Sequence, residues 1–275
     1  MKKKILLTAL ALLFFIGTLN AHTLFLKLST YFLAPHTDVT IALVNGTFDK
    51  SENAITRNRM RDVRIVGPGD EVVYPDTTQW RDEDNMALLD FKTGEVGTYV
   101  VGVSTTVSRI DLSANDFNEY LEHDGVLDIL AARKQEGALG EDARERYSKH
   151  VKAIIQVGEE RTGTYAHRLG YPSEIVPLSN PYDLGVGDTL EILVLIDGQP
   201  VAGQLIYASH EGYHGHDGEG GHLIAVETRT DDQGKARFNL EAAGRWYVTV
   251  IHMVKVDEEG VDYESKWASL TFEIR

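Results

Sequence analysis

Thr189-Leu190-Glu191-Ile192-Leu193-Val194-Leu195-Ile196-Asp197-Gly198 is the stretch whose reading decides the fold. Leu190, Ile192, Val194 and Ile196 recur with period two, which puts them on one face of a strand, and Asp-Gly is a turn pair that tolerates the left-handed backbone of a tight hairpin. Val201 to Ala208 then reads as the return strand. Downstream, Leu223 to Thr228, Ala236 to Leu240, Trp246 to Val256 and Trp267 to Ile274 complete about seven strands in roughly 100 residues, the size of an immunoglobulin-like sandwich. Upstream, Leu24 to Leu28, Val39 to Val44, Val63 to Val66, Glu71 to Tyr74, Ala87 to Phe91 and Thr98 to Val103 have strand length and composition. Turn residues such as Asn45-Gly46 and Gly67-Pro68-Gly69 separate them.

One segment breaks this pattern. Ser113 followed by Asp116 resembles a helix cap, and Phe117, Tyr120 and Leu121, then Leu127, Leu130 and Ala131, recur at helical spacing. Glu141 to Ser148, charged and free of glycine, suits a third short helix. The expected fold is therefore mainly β: two immunoglobulin-like β-sandwich domains, 22–165 and 170–275, with a short helical insertion at about 113–148 in the first. Arg57, Arg59, Arg61 and Arg64, and also His123 and His150, are expected at the surface.

Residues 1–21 read as a secretory signal peptide, with Lys2, Lys3 and Lys4 ahead of an apolar run from Ile5 to Ile16 and a polar stretch ending at Ala21. The run is short for a bilayer span, so a periplasmic or secreted protein without a stable membrane anchor after cleavage is expected. The 275 residues contain no cysteine, so neither disulfides nor a lipid-bearing cysteine enters the reading. The formal net charge is −15, and nucleic acid is thereby disfavoured as a partner. No phosphate loop or nucleophile elbow is present.

The candidate chemistry lies in histidine. His210 to His222 holds four of the ten histidines, His210, His214, His216 and His222, among five glycines and three carboxylates. Neutral imidazole is the commonest protein ligand for zinc, copper and nickel, and glycine lets several rings turn toward one ion. Cleavage after Ala21 would leave His22 at the mature terminus, where the α-amine and the ring can chelate the same ion. His252 is in phase with Trp246, Val248 and Val250 and is expected to point inward, as a core residue or as a ligand. His22 and His252 are expected to share one site at the junction of the two domains.

Several blocks of the chain resemble a bacterial domain-of-unknown-function family. They are Ala21-His22, Arg144-Glu145-Arg146-Tyr147-Ser148, Leu184-Gly185-Val186-Gly187-Asp188-Thr189-Leu190, Ala243-Gly244-Arg245-Trp246, His252-Met253 and Trp267-Ala268-Ser269-Leu270-Thr271-Phe272. That family is linked with NikM-type or NikK-type nickel uptake. The resemblance implies an exported protein with an immunoglobulin-like C-terminal domain, and a functional role for His22 and His252. The expected ligand is a divalent transition metal, nickel or else copper, cobalt or zinc, and a membrane metal-uptake complex is the partner that would fit. A histidine-brace copper oxidative enzyme and a metal-free structural or carbohydrate-binding sandwich are the alternatives. If export cleaves after Ala21, N-terminal sequencing of secreted material will begin His-Thr-Leu-Phe. A different start would remove the terminal chelate from the argument.

Overall fold

The computed structural model describes residues 22–213, 215–216, 222–223 and 226–275, of which 215–216 and 222–223 are described by their backbone alone. The expected signal peptide, 1–21, and His214 lie outside the described residues. In chain order the first strands are β1 (Thr23–Lys27), β2 (Phe32–Leu33), β3 (Asp38–Gly46), β4 (Met60–Val66), β5 (Val72–Val73), β6 (Trp80–Glu83), β7 (Met86–Lys92), β8 (Gly97–Thr105) and β9 (Ser108–Leu112). Helices α1 (Ala114–His123) and α2 (Leu127–Glu136) precede the long β10 (Ala143–Val157). The second half contains β11 (Ser173–Pro177), β12 (Thr189–Ile196), β13 (Gln199–Pro200), β14 (Leu205–His210), β15 (Gly215–His216), β16 (His222–Leu223), β17 (Val226–Arg229), β18 (Lys235–Asn239), β19 (Gly244–Glu258) and β20 (Val261–Ile274).

Among the described residues these strands form three stacked layers. The middle layer runs β17-β14-β19-β20-β10-β8-β4-β5, with β2 and β9 also paired to β10. Strands from both halves of the chain meet in it where β10 and β20 pair in parallel, Glu145 opposite Tyr263 through Ala153 opposite Thr271. One face carries the sheet β1-β3-β7-β6, seated through hydrogen bonds from Ser269 Oγ to the Leu24 carbonyl and from Thr271 Oγ1 to the Leu26 carbonyl, both 2.7 Å. The opposite face carries β11, β12, β13 and β18. There the Lys152 amine meets the Glu174 carboxylate at 2.6 Å with both side chains almost wholly buried. Burial pulls the lysine's pKa down while Glu174 pushes it up. Loss of either partner would strand a charge in the interior, at a cost of about 3–5 kcal/mol.

The expectation of a mainly β chain in sandwich layers with a short helical insertion is met. Asp197 and Gly198 take φ values of 50° and 77°, the left-handed pair that a two-residue hairpin requires, and Ile196 pairs with Gln199 across them. Two local expectations need correction. The return strand from Val201 to Ala208 is divided: Gln199 and Pro200 pair with β12 and the Val201 amide adds one bond to the Val194 carbonyl, the chain bends at Gly203 (φ 69°), and Leu205–His210 joins the middle sheet instead. Likewise, Glu141 to Ser148 is no helix. Residues from Ala143 onward are the start of β10, paired with β9 on one side and β20 on the other.

Helices α1 and α2 lie on the same face of the middle sheet as β1, over a second apolar cluster of Leu112, Phe117, Leu121, Met253, Tyr263 and Trp267. Ser113 caps α1 by accepting from the Asp116 amide. The end of α1 therefore faces the beginning of β1 across one stretch of β10 and β20.

Candidate metal centre

His22 sits at that junction. Its carbonyl accepts from Lys149 Nζ, whose strand, β10, runs beneath. Its ring is held from the turn after β3: Nε2 lies 2.6 Å from Glu52 Oε2, and Asn53 Nδ2 donates to Nδ1 at 2.8 Å. A neutral imidazole protonated at Nε2 satisfies both contacts. Nδ1, the nitrogen nearer the backbone, is the one that could share an ion with an α-amine.

Opposite stand the last residue of α1 and its cap. His123 Nδ1 lies 2.9 Å from Asp124 Oδ1, and this hydrogen bond raises the pKa of His123. Burial pushes the Asp124 carboxyl up, against the pull of His123, Lys149 and His22. Among the described residues its second oxygen, Oδ2, is buried without a hydrogen-bond partner, an expensive state for a carboxylate. Gly125 follows with φ 72°, and a Cβ there would meet the Tyr207 ring at 2.5 Å, so both backbone and space demand glycine.

His22, Glu52, Glu122, His123 and Asp124 line one cleft of about 620 Å³. Phe25, Phe48 and Tyr247 form its apolar wall, with ring centroids 4.9 to 5.3 Å apart. Two imidazoles and three carboxylates around a cleft are a hard-to-borderline donor set suited to divalent transition metals. As they stand, His22 with Glu52 and His123 with Asp124 are two pairs. Among the described residues no three such groups are gathered closely enough to hold an ion.

Behind His22 lies a smaller cavity of about 300 Å³, reached by Arg59, Glu145, Lys149 and Trp267. Glu145 accepts from Tyr120 Oη at 3.2 Å and from Ser265 Oγ. Burial raises its pKa to about 7, outweighing those bonds and the attraction of Lys149. Burial lowers that of Lys149 to about 8, against the pull of Asp124 and Glu145.

His22 and His252 do not meet. His252 is half-buried and, as its phase predicts, shares a face with Trp246, Val248 and Val250, but that face is the other side of the sheet from His22. Lys266 stands opposite it across the ladder, whereas Trp267, beside His22, belongs to the alternate face. Its Nδ1 is hydrogen-bonded with Gln204 at 2.9 Å. The His-rich loop is elsewhere again. His210 pairs with Trp246, six residues along β19 from His252, or about 20 Å. Its ring packs on Trp246 and Tyr213. Glu211 is engaged by Lys27 and Arg245, and the backbones of His216 and His222 pair with each other. His150, expected at the surface, is buried between Ser104 and Ser148 at 2.9 and 3.0 Å, and burial lowers its pKa to about 4. Arg59 lines the inner cavity and is not part of a solvated face. The sequence does not mark Glu52, His123 and Asp124 as ligands. No spacing joins them to His22, because tertiary pairing brings them there.

The family model of a domain of unknown function, DUF4198, matches residues 19–254. The chain belongs to the DUF4198 family. None of the curated proteins matches it. Among solved structures, the DUF4198 chain is similar at 10% identity and a TM-score of 0.24 to a Salmonella alpha-2-macroglobulin reacted with methylamine, covering 92% of this chain and 15% of that one. Similarity to the D0-D1 domain of intimin is 13% identity, TM-score 0.21, over 90% of this chain and 96% of that one. For the Escherichia coli adhesin FdeC the values are 13% and 0.23, over 93% and 64%.

The buried carboxyl of Glu145 yields a stability prediction. A group whose folded pKa is raised contributes stability that is complete below its unfolded value, 4.5, and is lost as pH climbs through about 7. Glu145→Gln keeps an acceptor for Tyr120 and Ser265 but cannot ionise. Its melting temperature relative to the parent should therefore rise between pH 4.5 and 7 and level off above; a flat difference would contradict the assignment.

Proposed function

We propose that this DUF4198 protein is an exported, periplasmic metal-binding protein for nickel or a related divalent transition metal, copper, cobalt or zinc, acting in metal uptake or handling. The observation that carries the reading is the cleft lined by His22, Glu52, His123 and Asp124, with the unpartnered Asp124 Oδ2 buried at its edge. Binding would draw the His22–Glu52 and His123–Asp124 pairs onto one ion, which compensates the carboxylate that the protein alone leaves unsatisfied. Cleavage after Ala21 would add the α-amine beside His22 Nδ1. Ligands from the residue before β1, the turn after β3 and the end of α1 give an ion here three separate segments to tie together. The resemblance to proteins linked with nickel uptake agrees with this role and suggests a membrane uptake complex as the receiver.

The His-rich loop is a second, weaker site in this account, since a glycine-rich tract must surrender chain entropy on binding. His252, on the opposite face of the sheet, takes no part in the cleft.

Calorimetric titration of nickel into protein beginning at His22 should show one tight site per chain. His22→Ala and His123→Ala should each weaken it by at least about tenfold, the scale of a lost ligand or supporting contact. The combined replacement of His210, His214, His216 and His222 by alanine should leave it in place. Equal affinity in the parent, His22→Ala and His123→Ala would refute the cleft.

A further inference from the structure

The cleft that holds His22, Glu52, His123 and Asp124 is larger than an ion needs. A six-coordinate aqua ion fills about 180 Å³, at about 30 Å³ for each water, whereas the cleft encloses about 620 Å³. The further space has walls of its own. Phe25 lies three residues along β1 from His22, about 10 Å, and its ring meets those of Phe48 and Tyr247. Tyr247, Thr249 and Ile251 alternate on β19 and, half-buried, floor the cleft beside Tyr207, which stands opposite Thr249 on β14. Tyr207 Oη donates to the Gly125 carbonyl at 3.0 Å, which fixes that ring, and Leu127 adds an apolar side chain that is 40% exposed. Aromatic surface thus continues where the ligating groups end. The charge is one-sided. Glu52, Glu122, Asp124 and Glu227 line the cleft and, among the described residues, no lysine or arginine does. Lys149 pulls on Asp124 from the inner cavity behind, and Arg229, near Glu227, is held at both terminal nitrogens by Asp128. Four carboxylates against these leave the balance negative.

Resting on the metal-binding reading of this same cleft, we propose that its cargo is a positively charged chelate: a divalent ion already held by a small, neutral nitrogen chelator that carries an aromatic ring. A neutral chelator leaves the ion its full double charge, which the carboxylates attract. A tricarboxylate such as citrate turns the same ion into an anion, which they repel. Two nitrogens from the chelator leave the remaining coordination positions to His22, Glu52, His123 and Asp124. The chelator's ring lies against Tyr247 and Tyr207, where a cationic complex also gains from the aromatic faces. A bare ion uses the ligating end alone and leaves the wall to water, whereas the chelate covers both.

Equilibrium dialysis of metal-stripped protein beginning at His22 tests this. Nickel is supplied alone or as its one-to-one complex with 2-picolylamine, with ethylenediamine or with citrate. Ethylenediamine brings two nitrogens and no charge, as 2-picolylamine does, but has no ring. Nickel and 2-picolylamine should be retained together, one of each per chain. The ethylenediamine complex should bind more weakly by about threefold or more, the scale of a lost cation–π contact, and citrate should not be retained. Tyr247→Leu should remove the preference for 2-picolylamine over ethylenediamine. Thermal melting establishes that the variant is folded, and the comparison of complexes on the parent protein needs no variant. Nickel retained without 2-picolylamine, equal retention of the ethylenediamine complex, citrate retained with nickel, or an undiminished preference in folded Tyr247→Leu would each overturn the chelate while leaving the metal site standing. No nickel retained from any mixture would refute the metal-binding reading itself, and the chelate with it.

Discussion

The parallel pairing of β10 with β20 is the constraint from which the rest of the structure follows. Nine consecutive residue pairs, Glu145 with Tyr263 to Ala153 with Thr271, join a strand from the middle of the chain to its last strand. Parallel neighbours need a long connection, and here more than a hundred residues lie between them. Those residues supply one outer layer, β11, β12, β13 and β18, and the middle-layer strands β14, β17 and β19. Buried on both faces, β10 and β20 carry Val151, Ala153, Leu270 and Phe272 into the core, and also polar groups of which Ser269, Thr271 and Lys152 find a partner in an outer layer. Ser269 and Thr271 bind the backbone of β1, and Lys152 binds Glu174 on β11.

Alternation along these two strands also divides the chemistry by face. Glu145, Lys149 and Trp267 point toward β1 and α1, where His22, His123 and Asp124 assemble. His150, Lys152 and His252 point the other way. His150 is there a structural residue, with both ring nitrogens bound by serines and its charge suppressed by burial. His22 and His252 are thus near each other along the sheet yet on opposite sides of it, a relation fixed by strand phase. The long β10 also places a lysine and a glutamate, Lys149 and Glu145, four residues apart on the His22 side, so the floor of the site carries opposed charges that burial pushes toward neutrality.

Local features were legible in the sequence because their causes are local. Period-two alternation from Leu190 to Ile196 is a strand of that phase, Asp197-Gly198 is a tight turn, and Ser113 caps a helix through Asp116. His22 was found through its position behind a signal-like segment. The third helix failed for an identifiable reason: Arg144, Glu145, Arg146 and Lys149 look solvated, but as β10 Glu145 and Lys149 are buried by partners far away in sequence, on α1 and β20, while Arg144 and Arg146 reach Asp262 and Glu258. The same holds for the site. Glu52, His123 and Asp124 stand 30 to about 100 residues from His22, and nothing short of the sheet pairing brings them together. A histidine-rich tract is conspicuous in composition, whereas a cleft assembled from single residues is not.

If β10 and β20 hold both halves as one cooperative unit, their amides should exchange hydrogen only with global unfolding. Native-state hydrogen exchange at Val151–Ala153 and at Ser269–Thr271 tests this most directly. The account predicts the same opening free energy at both places, equal to that of the whole protein and shared by the core amides of β12. Exchange in the β12 region at markedly lower free energy than in β8, as two separately opening halves would show, would contradict it.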